Sequence, residues 1–120
     1  IDHLYPNAQR EVSLNAQLNM AGYDTLGACI FAGFGYAATP DGVVKRLLKS
    51  RYGWNDIADN ILQTLGKETI KLEREFNKRA GFTAKDDRLP EWMTKEAIPE
   101  NGAVFDVPED VIDHIFDGIE

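Results

Sequence analysis

The chain has one thiol, Cys29. A nucleophilic thiol needs a depressed pKa and a nearby base. The only histidines, His3 and His114, lie near opposite ends of the sequence. As an iron–sulfur ligand, Cys29 would be one of four, so three more would have to come from outside these residues. As plain packing it would be a small buried hydrophobe, the commonest state of a free cysteine. Asp24 stands five positions earlier and has a similar pair of readings. It could cap a following helix through its carboxylate. It could equally accept two N–H bonds from a planar heterocycle, as carboxylates do from guanidinium groups. Tyr23 and Phe31 are candidates for stacking on a ligand or for core packing. Local pattern alone favours the buried thiol, the cap and the packed rings.

Elsewhere the chemistry is sparse. Asp86-Asp87 lacks the spaced oxygen ligands of a calcium loop and reads as a turn with Arg88 as its charge partner. Lys67, Lys71, Arg74 and Lys78 read as the solvated face of a helix. No Gly-rich phosphate loop, HExxH pair or CxxC is present.

Composition bounds what could hold these residues. The chain has 120 residues, 43% hydrophobic and 28% charged, with a net charge of −7. That length suits a single domain, 1–120, which buries about 65% of its unfolded surface without a disulfide or metal staple. An acidic balance argues against nucleic acid as a partner, because phosphate contacts need clustered Lys and Arg. The charge is divided: residues 1–85 carry +2 and residues 86–120 carry −9. The second part therefore reads as a solvated acidic flank or a surface for a basic partner. The longest apolar run, Leu26 to Ala38, spans 13 residues. A bilayer span needs roughly 20, so no membrane partner is expected. The first residues do not read as a signal peptide and a lone cysteine forms no internal disulfide, so a cytoplasmic location is expected. A start at Ile1-Asp2-His3 suggests a domain cut from a longer chain.

The periodicity predicts an all-α fold, a multi-helix bundle with an irregular acidic C-terminal arm. Residues 11–22 form a helix closed by Gly22, with apolar positions on two sides. Asp24-Thr25 caps a second, buried segment, Leu26 to Phe34, which Gly33 and Gly35 terminate. Pro40 opens a third helix that runs to Gly53. From Asp56 to Ala80, Ile57, Ile61, Leu62, Leu65, Thr69, Leu72, Phe76 and Ala80 trace one core-facing stripe, about 140° wide at 100° per residue. Gly66 inside this helix costs about 1 kcal/mol relative to alanine, which suggests close approach of another backbone. Gly81 is a natural stop. After a turn at residues 86–90 come a short helix over 91–97, a stretch at 104–107 that could be extended, and a last helix opened by Pro108.

Two stretches carry a resemblance. Asp24-Thr25-Leu26-Gly27-Ala28-Cys29-Ile30 resembles the Asp-x-x-Gly-Leu-Cys motif of the aldehyde:ferredoxin oxidoreductases, the tungsten-pterin enzymes, with Ala28 in place of the usual leucine. Gly53-Trp54, Leu72-Glu73-Arg74-Glu75-Phe76-Asn77, Arg79, Gly81-Phe82 and Asp86-Asp87-Arg88-Leu89-Pro90 are similar to that family's GW…LERxFNxRxGF…DDxLP signature, in the same order.

The resemblance implies the C-terminal helical domain of a chain of about 600 residues, several domains in length. It implies a tungsten or molybdenum bis-pterin cofactor and a [4Fe–4S] cluster, both held only in the full-length enzyme. Aldehydes would be oxidised to carboxylic acids, and electrons would pass through the cluster to ferredoxin. Cys29 would be the fourth cluster ligand, beside three from a CxxCxxxC motif elsewhere in the parent chain. Asp24 would bind the pterin through its N–H edge, and Ile30 would offer a backbone contact. No residue of this chain would be catalytic, and the isolated chain would be inactive. The glycines at 27, 33 and 35 would let backbone N–H groups approach the cluster sulfurs. The alternative is a helical protein-interaction module with a core cysteine and an acidic partner-binding tail.

Overall fold

The computed structural model describes residues 8–37 and 42–119. All regular structure among them is helical: α1 (Gln9–Thr25), α2 (Ile30–Ala37), α3 (Val43–Tyr52), α4 (Ile61–Arg79), a 3₁₀ turn (Ala84–Asp87), α5 (Glu91–Lys95) and α6 (Glu109–Asp113). The all-α expectation is met, whereas Ile1, His3 and Pro40 lie outside the described residues. The chain packs as two compact units, Asn15–Leu72 and Ile1–Leu14 with Glu73–Glu120.

In the unit Asn15–Leu72, α1 and α4 meet at two glycines. A Cβ on Gly66 would stand 2.7 Å from the Leu18 carbonyl carbon, and closer still to its oxygen; one on Gly22 would stand 2.9 Å from the Leu62 carbonyl carbon. Only residues without a side chain allow two helical backbones to come this near. Both helices carry the same pattern at the crossing, Leu18…Gly22…Thr25 and Leu62…Gly66…Thr69. The last pair closes the contact, with the two threonine hydroxyls 2.7 Å apart. The expected close approach at Gly66 is therefore present. Gly22, expected to end α1, lies inside the helix and is its second crossing point.

Two further boundaries differ from the periodicity. The helix expected from Asp56 begins at Ile61, after a turn at Asp59-Asn60 whose Asn60 carbonyl accepts the Thr64 N–H at 3.0 Å. Ile57 is buried in the connection ahead of that turn. The expected core stripe is also split. Ile70 and Gly66 are the buried positions of α4, while Leu72 is 73% and Phe76 71% exposed. The crossing at Gly66 turns the helix so that Ile70, one turn on, follows it inward. α3 ends as expected on Gly53, whose left-handed φ of 71° lets its N–H return to the Lys49 carbonyl at 2.8 Å. Leu48 is its buried residue.

In the other unit, Gly81 stops α4 as expected. With φ at 92°, its N–H bonds the Lys78 carbonyl and the Phe82 N–H bonds the Asn77 carbonyl, the paired bonds of a Schellman ending. The Thr83 N–H and hydroxyl both donate to Asp86, at 2.7 and 3.0 Å, which caps the 3₁₀ turn. Arg88 feels the charge of Asp87, as expected, but makes its ion pairs elsewhere. It binds Asp113 of α6 at 2.6 Å, with Glu109 at 3.7 Å, while Asp87 receives Arg74 at 2.9 Å. The Arg74 guanidinium also lies 4.6 Å over the Phe116 ring. Arg10 donates to the carbonyls of His114 and Asp117, at 3.0 and 2.9 Å, in the turn that follows α6. Three arginines thus hold much of the acidic C-terminal arm. The 104–107 stretch makes no ladder; its Phe105 N–H bonds the Met93 carbonyl at 2.8 Å.

Candidate functional site

Asp24, Cys29 and Ile30 flank the short connection between α1 and α2, Asp24 in the last turn of α1, Cys29 just ahead of α2 and Ile30 at its first position. α1 continues to Thr25, so Asp24 belongs to its last turn and caps no following helix. The turn itself is a second Schellman ending. The Ala28 N–H bonds the Tyr23 carbonyl and the Gly27 N–H bonds the Asp24 carbonyl, both at 2.9 Å. Gly27 takes φ of 65°, the left-handed conformation that this ending requires and that glycine adopts without strain. The glycine of the Asp-x-x-Gly run is therefore a matter of backbone handedness.

Cys29 immediately precedes α2, and its carbonyl accepts the Gly33 N–H at 3.2 Å. Its side chain is exposed, which overturns the reading as a small buried hydrophobe. The first-turn N–H groups of α2, at Ile30, Phe31 and Ala32, have no carbonyl within the helix to receive them. An exposed thiol stands beside them. The asparagine, serine or aspartate side chains that usually serve such N–H groups are absent at position 29. Gly27 and Gly33 do not free their own N–H groups for a ligand, as the sequence suggested, since both are bonded within the turn and helix.

The apolar segment after Cys29 also departs from expectation. Gly33 does not terminate α2. It makes room for Tyr23, because a Cβ there would stand 2.8 Å from the tyrosine Cζ. Phe31 and Phe34, expected to be buried, are 77% and 69% exposed, and their rings pair in a tilted arrangement at 6.3 Å. An apolar segment that this chain leaves uncovered follows directly on the exposed thiol.

Among the described residues no three His, Cys, Asp or Glu side chains gather as a metal site. Cys29 could therefore supply one ligand to a metal group and no more. Away from this turn, a groove of about 370 Å³ opens beside Asn19, Tyr23, Val43, Lys45, Asp59 and Gln63. Lys45 and Asp59 pair there at 2.6 Å, and the Lys45 hydrogen bond holds the Asp59 carboxyl below the usual aspartate range. Sequence reading missed this groove, and nothing in the spacing of its residues announces it. It also missed the Thr25–Thr69 contact, for which the repeated Leu-x-x-x-Gly-x-x-Thr pattern was an available sign.

The family model described as aldehyde ferredoxin oxidoreductase, domains 2 and 3, matches residues 2–117. The chain belongs to the aldehyde ferredoxin oxidoreductase family. No curated protein and no solved structure matches it. In this member of the aldehyde ferredoxin oxidoreductase family, the Asp24–Ile30 turn and the Leu72–Pro90 stretch both fall within the matched residues. No helix among the described residues is long and apolar enough to cross a membrane.

Proposed function

We propose that this chain is the C-terminal helical domain of an aldehyde-oxidising tungsten or molybdenum pterin enzyme, residues 1–120 of which form the side of the cofactor site that meets the cluster. The exposed thiol of Cys29, at the mouth of α2 and on the family's own motif, carries the reading. A cluster ligand must be reachable, and an exposed thiol immediately ahead of α2 meets that need. Three further thiolates would come from the rest of the enzyme, in keeping with the single ligand available here.

Asp24 holds its carboxylate in solvent, where it can accept N–H groups from the edge of a pterin. Ile30 presents a first-turn backbone N–H of α2 across the connection from Asp24. The Schellman bonds around Gly27 fix the spacing between these groups, so one rigid turn would serve both cofactors. The exposed Phe31 and Phe34 would be covered by the remaining domains of the enzyme, keeping water from the cluster. When bound, the metal-pterin supplies the oxidative chemistry and the cluster a path for electrons toward ferredoxin. This chain binds and orients; it contributes no catalytic side chain.

The test is Cys29→Ser in the whole enzyme, with iron content and the EPR signal of the reduced cluster as readouts. Loss of about one cluster per chain is expected, and unchanged occupancy would sink the assignment. Asp24→Ala should lower pterin and tungsten retention while leaving iron in place. The isolated 120 residues should not reduce viologen dye with any aldehyde.

A further inference from the structure

Resting on the reading of Cys29 as a cluster ligand, we infer that Thr69 of α4 is a positioning residue for the cluster-bearing turn, acting through Thr25. The two hydroxyls lie 2.7 Å apart. A hydroxyl has a single proton to donate, and that of Thr25 goes to the Ala21 carbonyl at 2.6 Å. The Thr69 hydroxyl is therefore the donor between the pair, and Thr25 Oγ is its acceptor. A relay results that runs from α4 into the last turn of α1.

This relay is the second of two fastenings between α1 and α4. The first is the backbone contact of Gly22 with Gly66 and Leu62, which fixes α1 one turn before its end. Helix ends fray beyond their last tertiary contact. The Thr25–Thr69 bond lies beyond that contact, in the turn whose Tyr23 and Asp24 carbonyls hold Ala28 and Gly27. Cys29 follows Ala28 directly. Movement of the last turn of α1 would therefore carry both Asp24 and the Cys29 backbone with it. Thr69 touches neither cofactor residue, yet its hydroxyl sets the resting position of the segment that bears them.

The experiment compares Thr69→Val and Thr69→Ser in the whole, cofactor-loaded enzyme. Valine keeps the shape and removes the donor; serine keeps the donor. Thr69→Val should retain full iron content but shift the g values of the reduced cluster and its reduction midpoint, and Thr69→Ser should return both to the unsubstituted values. Unchanged g values and midpoint in Thr69→Val would overturn the assignment, as would equal shifts in the two variants. If Thr69→Val does not accumulate as folded protein, Thr25→Val against Thr25→Ser reads the same relay from the acceptor side. Failure of both valine variants to fold would make the bond a support of the whole fold and would likewise overturn a local role. Retained iron in Cys29→Ser is a separate result, which removes the ligand reading itself.

Discussion

The Gly66 Cα of α4 lies against the Leu18 carbonyl of α1 so closely that no side-chain atom fits between them. Alanine at position 66 should gain about 1 kcal/mol of helix propensity. It should lose about 3 kcal/mol to the overlap, because the atoms it meets are backbone and cannot rotate away. The expected net is a destabilisation of about 2 kcal/mol, measured by chemical denaturation. Gly22→Ala should behave alike, since its Cβ would meet the Leu62 carbonyl.

Gly27 responds to substitution through its backbone angle alone, because no atom lies within 4 Å of the position of a Cβ. Gly27→Ala should cost about 1 kcal/mol, the penalty for a left-handed alanine. Gly27→Asn should cost less than half of that, since asparagine tolerates this conformation at helix ends. Denaturant midpoints of the two variants would rank them.

On α4 the crossing selects which apolar side chains matter. Ile70 is 6% exposed, so Ile70→Ala should destabilise by about 3 kcal/mol. Leu72→Ala, at a largely exposed site, should stay within about 0.5 kcal/mol in the isolated chain. A stripe read from spacing alone would rank the two the other way.

Acid should loosen the link between the 3₁₀ turn and α6. The Arg88 hydrogen bond holds the Asp113 carboxyl below its ordinary value, with the Arg88 charge adding to it. The Thr83 N–H, and then its hydroxyl, does the same for Asp86. Both groups bind protons less readily folded than unfolded. Their contribution is complete above the ordinary aspartate value of about 3.9 and disappears as pH falls through the depressed values below it. Asp113→Asn should therefore unfold earlier than the unsubstituted chain near neutral pH. The gap should narrow steadily once pH drops below about 4.

Much of this structure is legible in the sequence where the cause is local. Gly53 and Gly81 end their helices as the residue type dictates, and Gly66 marks a close approach because glycine is otherwise costly within a helix. The errors arise where local signals compete with tertiary contacts. Gly22 resembles a helix end but is a crossing point, which moves Asp24 from a cap into α1 and shortens α2. Leu72 and Phe76 continue a helical period that the rotation at the crossing leaves exposed. Arg88 has an acidic neighbour in sequence, yet its bond is to Asp113, 25 positions away. Asp24, Cys29 and Ile30 are expected on a cap and a following helix from Leu26; the structure instead sets them around the connection between α1 and α2, with Cys29 exposed where its apolar surroundings suggest burial.

That exposure also makes Cys29 a counter. The chain has one sulfhydryl, so a single alkylating mass tag per molecule marks a thiol open to solvent. In the isolated chain the tag should add readily, whereas a sulfur already bound to iron should resist it until the iron is chelated away. In the whole enzyme, tagging before and after chelation, read on the peptide that contains Cys29, would then give the fraction of molecules whose Cys29 is ligated.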